Sequence, residues 1–280
     1  MDLYDQHLHS RHSFDCRTEP EENVKAAVAK GLAGLTFTEH FDTHPDDWES
    51  CVYDDEAYSA TIRSLRDRYG KDVFIGKGIE ICFQPDHMDF ILDFLARHEF
   101  DMVMLSVHYF GEKAVHTKEN WSGIDAAVGT RMYLEHVRDA ASFCANLHEV
   151  RGRRVFDVLG HLDLVKRYTQ RFFGGYDVSE CADVMEDILR ALITADMVPE
   201  INTSSLRQGL AETMPALSTL KRYAELGGKA VSLGSDAHRA EHIGADFPRA
   251  VSLAREAGLF GAVSFRQRER TATKTFLGLA

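Results

Sequence analysis

No two cysteines in this 280-residue chain form a C-x-x-C motif. The five present, Cys16, Cys51, Cys82, Cys144 and Cys181, are odd in number and scattered. That spacing argues against a thiolate zinc knuckle and against a disulfide framework. Positive charge is scarce as well: 32 Lys and Arg stand against 44 Asp and Glu, a net charge of −12. Such a balance leaves no basic footprint for a nucleic-acid backbone. It still permits a local anion pocket, above all one built around metal ions. No uninterrupted apolar run approaches the roughly 18 residues a membrane span needs. The segment Met1-Asp2-Leu3-Tyr4-Asp5 lacks a basic stretch followed by an apolar one, so no signal peptide is expected. The expectation is a cytoplasmic, soluble protein whose partner is a small molecule, with no nucleic acid and no membrane. Oligomeric state is not legible.

What is present is enough apolar residue, 44%, to bury a sizeable core. Neither a low-complexity linker nor an internal repeat divides the chain, so residues 1–280 are expected to form a single domain. The length suits an α/β barrel folded as one unit. Short β-branched or apolar runs alternate with longer amphipathic stretches, the pattern of βα units around a parallel sheet. Strands are expected at 3–9, 35–40, 73–81, 101–108, 155–161, 198–202 and 230–236, with a last short one at 260–265. Helices are expected from Pro20 and over 57–69, 88–98, 132–150, 180–195, 215–226 and 247–257. Residues 41–55, acidic and containing Trp48 and Tyr53, and residues 109–129 read as long loops, the kind that form lids or binding surfaces. Residues 165–177 read as irregular and basic-aromatic.

The ends of these strands carry the chemistry. They read His7 and His9, His40, Glu80, His108, His161, Glu200 with Asn202, and Asp236 with His238. In a closed α/β barrel the C-terminal strand ends converge on one mouth, where catalytic groups sit. Alternation along a strand points His7 and His9 the same way, and Asp236-Ala237-His238 repeats that spacing. Any one histidine is most simply a surface or helix-end residue, and His44, His87, His98, His116, His136, His148 and His242 are read so. Independent strands finishing on one theme are not explained that way. Imidazoles and carboxylates without thiolates suit zinc, manganese or iron. The ligands exceed the needs of one tetrahedral ion, and two or three ions sharing a bridging carboxylate would use them all. Clusters of that kind carry out hydrolysis, and the expected substrate is a phosphate ester.

His7-Leu8-His9, Thr38-Glu39-His40, Gly78-Ile79-Glu80, Ser106-Val107-His108, Gly160-His161-Leu162-Asp163, the run from Glu200 to Arg207, and Gly234-Ser235-Asp236-Ala237-His238 resemble the polymerase-and-histidinol-phosphatase (PHP) superfamily. The Ser-Val-His, Gly-His-x-Asp and Asn-Thr-Ser-x-Leu-Arg elements are similar to its histidinol-phosphate phosphatase branch. The resemblance runs from residue 3 to about 245, in order. It implies a distorted seven-stranded, TIM-like (β/α) barrel with its active site at the C-terminal strand ends and a trinuclear metal centre. By motif, His7, His9, Glu80 and Asp236 would hold a first ion. Glu80 would bridge to a second, held also by His108 and His161, and a third would take Asp15, His40 and His238. Position 15 varies in the superfamily, often being histidine, and His12 competes with Asp15 for this place.

The resemblance also implies that Arg207 and Arg167 bind phosphate, for which guanidinium geometry is suited. Read alone, Lys166, Arg167 and Arg171 are equally a solvated basic loop. Glu80, Asp236 and His238 are the expected catalytic residues. Glu200 would bind the substrate's amine or imidazole, or serve a structural hydrogen bond, and Asp163 is a candidate for the leaving-group acid. The implied reaction is hydrolysis of L-histidinol phosphate, in histidine biosynthesis, by a hydroxide bridging metal ions. The alternatives are another small phosphate monoester as substrate, or a metal-binding or sensory protein without turnover.

Overall fold

The computed structural model of the chain describes residues 3–275. Its elements follow the βα alternation. Strand β1 (Tyr4–Leu8) leads to helix α1 (Pro20–Ala29), which starts on a proline with Glu21 and Glu22 in its first turn, where the amino-terminal dipole favours them. Strand β2 (Gly34–Phe41) precedes α2 (Asp55–Tyr69), capped by the Asp54 carboxylate on the amide of Ala57. Strand β3 (Phe74–Cys82), helix α3 (Met88–Arg97) and strand β4 (Met102–Ser106) come next. A small hairpin, β5 (Tyr109–Phe110) with β6 (Lys113–Ala114), then occupies the second long loop. The 26-residue α4 (Ala126–Arg151), N-capped by Asp125, precedes the two-residue β7 (Val158–Leu159). There follow α5 (Val165–Phe173), α6 (Ala182–Thr194), β8 (Val198–Asn202), the single turn α7 (Ser204–Arg207), α8 (Leu217–Glu225), β9 (Ala230–Gly234) and α9 (Phe247–Glu256). Strands β10 (Gly261–Arg266) and β11 (Glu269–Thr275) end the described chain as an antiparallel hairpin.

Among the described residues one sheet has the order β1-β2-β3-β4-β7-β8-β9-β10-β11, parallel throughout except for the last pair. Its first and later strands meet. Leu8 bridges Ala237 in parallel, the amide of Asp236 donates to the carbonyl of His7 at 2.7 Å, and that of His9 donates to Ala237 at 2.9 Å. Nearly every position on the inner strands is buried, as expected for strands covered on both faces. No helix among the described residues is long and apolar enough to cross a membrane.

Three departures from the expected elements have physical causes. The basic-aromatic stretch after His161 is helical, because Val165, Tyr168, Thr169 and Phe172 line one face, and Gly174 in the left-handed region (φ 82°) stops it. The sheet has nine strands where seven and a short tail were expected. The extra strand, β11, is rich in Thr, Arg and Lys and lies at the edge, so it lacks the apolar run that marks an inner strand. Finally, β9 stops at Gly234, and Asp236 adopts a positive φ of 51°. Asp236 and His238 therefore leave from a turn rather than from one face of a strand.

Candidate metal centre

The strand ends converge. His7 lies on β1 and His9 just beyond it, with ring centroids 5.3 Å apart. Glu80, from β3, is the hub. Its Oε2 lies 3.4 Å from Nε2 of His7, 3.5 Å from Nε2 of His9 and 3.2 Å from Nδ1 of His40. Its Oε1 lies 2.9 Å from Nε2 of His161 and 3.2 Å from Nε2 of His108, and accepts from the Ser106 hydroxyl at 2.6 Å. Oδ1 of Asp236 lies 3.8, 3.7 and 3.6 Å from His7, His9 and His238. Oδ2 of Asp15 lies 3.0 Å from His238 and 3.5 Å from His40. All the ligands expected by motif thus fall within one cluster. His12 lies outside it, with Nε2 3.0 Å from the Thr61 hydroxyl.

These residues fit divalent cations. Buried polar atoms are normally hydrogen-bonded, yet Nε2 of His7, Nε2 of His9, Nδ1 of His40 and Oε2 of Glu80 are buried without such a partner. Among the described residues, three-residue groups that could hold an ion are His7–His9–Asp236, His7–Glu80–His161, His40–Glu80–His108, His9–His40–His238 and, behind His108, Asp42–Cys82–His108. The close packing of imidazoles and carboxylates shifts their pKa values in opposite directions. Burial would lower the pKa of His7, but the carboxylates of Glu200, Glu80 and Asp236 hold it well above the usual value. Burial likewise opposes charge on His40, yet Glu80 and Asp15 raise it to about 9. His9, buried and flanked by His40 and His238, is pushed well down. Glu80 and Asp236 are held well below the usual carboxylate range, the surrounding imidazoles outweighing burial.

A second set of groups holds the first. Glu200 is fully buried, with Oε1 2.7 Å from Nδ1 of His7 and Oε2 accepting from the amide of His161 at 2.8 Å. Gly234 makes room for this, since a Cβ there would lie 1.8 Å from the Glu200 carboxylate and 2.6 Å from the Cβ of His7. Asp42 approaches Nδ1 of His108 at 3.3 Å. Ser13 approaches Nδ1 of His9 at 3.1 Å and donates to Glu39 at 2.6 Å.

Beside the centre opens a cavity of about 550 Å³, lined in part by Phe14, Asp47, Tyr109, His116, Tyr168 and Arg167. Helix α5 puts Arg167 on its wall, donating to the Ser204 hydroxyl at 2.6 Å and lying 3.6 Å from Asp236. Arg207 is half-buried and donates to the carbonyl of Ser235, outside the lining. Asp163 is buried 2.8 Å from the ammonium of Lys166, also off the cavity. Sequence reasoning missed Ser13, Asp42, Asp47, Tyr109 and Tyr168. It also grouped His116 with solvated histidines, and His44 stacks on Tyr109 at 3.7 Å. The spacing His40-Phe41-Asp42, an i, i+2 pair at a strand end, was a readable signal for Asp42.

A mostly parallel sheet whose strand ends gather imidazoles and carboxylates defines an α/β protein with a candidate metal centre at one mouth. More narrowly, the family model described as PHP domain matches residues 5–204, and the chain belongs to the PHP domain family. Among relatives, it is 30% identical to a probable histidinol-phosphatase of Deinococcus radiodurans, covering 95% of this chain and 98% of that protein. It is 28% identical to the histidinol-phosphatase of Lactococcus lactis, covering 95% of each. The solved structure of Lactococcus lactis histidinol phosphate phosphatase, complexed with zinc, L-histidinol and phosphate, superposes with a TM-score of 0.84 at 25% identity, covering 96% of this chain and 99% of that one.

Proposed function

We propose that this chain is a metal-dependent phosphatase that hydrolyses L-histidinol phosphate to L-histidinol and phosphate, a cytoplasmic step of histidine biosynthesis. The observation that carries this reading is its likeness, across nearly the whole of both chains, to a solved enzyme complexed with zinc, L-histidinol and phosphate. The donor set supports it. His7, His9, Glu80 and Asp236 would hold one ion, Glu80 with His108 and His161 a second, and Asp15, His40 and His238 a third. Zinc, manganese and iron all suit these donors. Bound there, such ions supply charge stabilisation at phosphate oxygens and an activated water near neutral pH.

The chain's own residues orient and balance charge. Glu80 places one carboxylate oxygen toward His7, His9 and His40 and the other toward His108 and His161, so a single side chain registers all five imidazoles. Asp236 stands between His7 and Arg167 and so links the metal side of the mouth to its guanidinium side. Arg167 presents a cation to a phosphate in the cavity, and Arg207 braces the Ser235–Asp236 turn from behind while adding positive charge. His238 and Asp15, with Nε2 and Oδ2 3.0 Å apart, stand together at the rim, where both would face the third ion. Strands β1 to β4, β7, β8 and β9 are read as a distorted seven-stranded (β/α) barrel with β10–β11 as an appendage, in one domain over residues 1–280.

Steady-state kinetics on histidinol phosphate, beside p-nitrophenyl phosphate and a panel of nucleotide and sugar monophosphates, test the reading. A kcat/KM for histidinol phosphate on the order of 100-fold above the panel is expected. A better panel member would assign another small monoester, and turnover by metal-stripped protein would sink the mechanism.

A further inference from the structure

We infer that Glu39, acting through the hydroxyl of Ser13, is a positioning residue that fixes the tautomer of His9 and keeps its Nε2 lone pair turned toward Glu80 and Asp236. Glu39 precedes His40 on β2, is fully buried, and does not line the cavity. A buried carboxylate is costly unless donors surround it. Here the Ser10 amide donates at 3.0 Å, the Ser10 hydroxyl at 2.5 Å and the Ser13 hydroxyl at 2.6 Å.

A serine hydroxyl has one proton to give and two lone pairs to receive with. Three groups surround the Ser13 oxygen: Glu39 at 2.6 Å, Nδ1 of His9 at 3.1 Å and the amide of His40 at 3.1 Å. The amide only donates, so it takes one lone pair. Burial pushes the Glu39 pKa up, and the Ser10 and Ser13 donors oppose it; as a carboxylate Glu39 only accepts, so it takes the proton. A lone pair is left for His9, and its Nδ1 must therefore carry the hydrogen. In the neutral ring Nε2 is then the bare nitrogen, and it is the atom found buried without a hydrogen-bond partner, 3.5 Å from Glu80 and 3.7 Å from Asp236. At His7 and His108 a carboxylate touches Nδ1 directly. At His9 the same instruction is relayed, and the relay also takes the backbone of His40, so one hydroxyl registers ligands from two strands.

The inference rests on reading His9 as a metal ligand. The test uses the full-length, metal-stripped chain, titrated with zinc against a chelator of known affinity, together with ¹⁵N spectra of the histidine ring nitrogens. Glu39→Gln offers an amide hydrogen to Ser13, which frees the Ser13 proton for Nδ1 of His9 and favours the Nε2–H form. Zinc affinity is expected to fall about 10- to 100-fold, with His9 shifted to that tautomer. Ser13→Ala is expected to lose affinity similarly, and Ser13→Thr, which keeps the hydroxyl, to restore it. A purely structural role would lower the melting temperature without moving the tautomer. Wild-type affinity and tautomer in both Glu39→Gln and Ser13→Ala would overturn the inference, as would failure of Ser13→Thr to rescue. If Glu39→Gln does not fold, the two Ser13 variants decide. If the wild-type chain itself takes up no zinc, manganese or iron, the proposed function fails, while the His9 tautomer in wild type and Ser13→Ala still judges the relay.

Discussion

Oε1 of Glu200 and Nδ1 of His7 lie 2.7 Å apart, both side chains fully buried, in a gap that Gly234 leaves open. The carboxylate gives His7 a partner on the side away from Glu80. A neutral His7 then carries its hydrogen on Nδ1 and its lone pair on Nε2.

Glu200→Gln is expected to weaken zinc binding about 10- to 100-fold, because the amide can turn its hydrogen toward Nδ1 and reverse the tautomer. Chelator competition on the metal-stripped protein measures this. A rise in KM for substrate at unchanged metal affinity would instead place Glu200 against the substrate.

Metal uptake is expected to release protons. His40, raised to about 9, is protonated in the metal-free chain at pH 7. A bound cation needs the neutral ring, so affinity climbs as pH rises toward 9 and falls as pH drops. The same group stabilises the metal-free fold fully below its unfolded pKa of about 6.5, and that contribution is lost as pH rises through about 9. Calorimetric zinc titrations in buffers of different ionisation enthalpy read the proton count. No release at pH 7 would contradict the charge state assigned to His40.

Arg167→Lys is expected to raise KM or lower kcat/KM by roughly 10- to 100-fold while leaving zinc stoichiometry intact, since one charged hydrogen-bonded contact to phosphate contributes about 1.5–3 kcal/mol. Arg207→Lys is expected to do less, because Arg207 spends a donor on the carbonyl of Ser235 and stands outside the cavity lining. Kinetics and metal analysis on both variants check the order. A larger loss at Arg207 would reverse it.

The ligands were legible because a metal centre needs a narrow set of side-chain types, and a parallel sheet delivers them at one point of each strand. His7, His40, Glu80 and Asp236 could be read for that reason. The groups that hold the ligands were harder to read. Glu39 is an ordinary acid in sequence, and Ser13 is one serine among several. Their roles appear only when β2 is laid against the turn after β1, whereas Asp42, signalled by its spacing from His40, meets His108 beyond β4. Helix α5 was masked by its composition, since its apolar face is made of Val165, Tyr168, Thr169 and Phe172 between basic residues. The β10–β11 hairpin was half-read. Its outer strand is an edge whose Arg270 pairs with Asp196, and its sequence lacks the apolar run of an inner strand.

Asp157, fully buried between β4 and β7, accepts from the amide of Val103 at 2.8 Å, from Arg154 at 2.7 Å and from Arg268 in the β10–β11 turn. Asp101 does likewise for the amide of Gln267 at 3.0 Å and that of Lys77 at 2.8 Å. Two buried carboxylates thus pin the hairpin to the end of the sheet away from the ligands. Asp157→Ala takes the acceptor from the Val103 amide and weakens the hold on Arg154 and Arg268, which keep Asp196 and the carbonyl of Val155, and removing one partner of a buried pair costs about 3–5 kcal/mol. The lower end applies here, because Arg268 is partly exposed and solvent screens it. Urea unfolding of the metal-free chain should therefore show a loss of about 3 kcal/mol, while the folded fraction binds zinc with wild-type affinity. A loss of zinc affinity at unchanged stability would mean that this end of the sheet communicates with the metal centre, and the latch reading would fall.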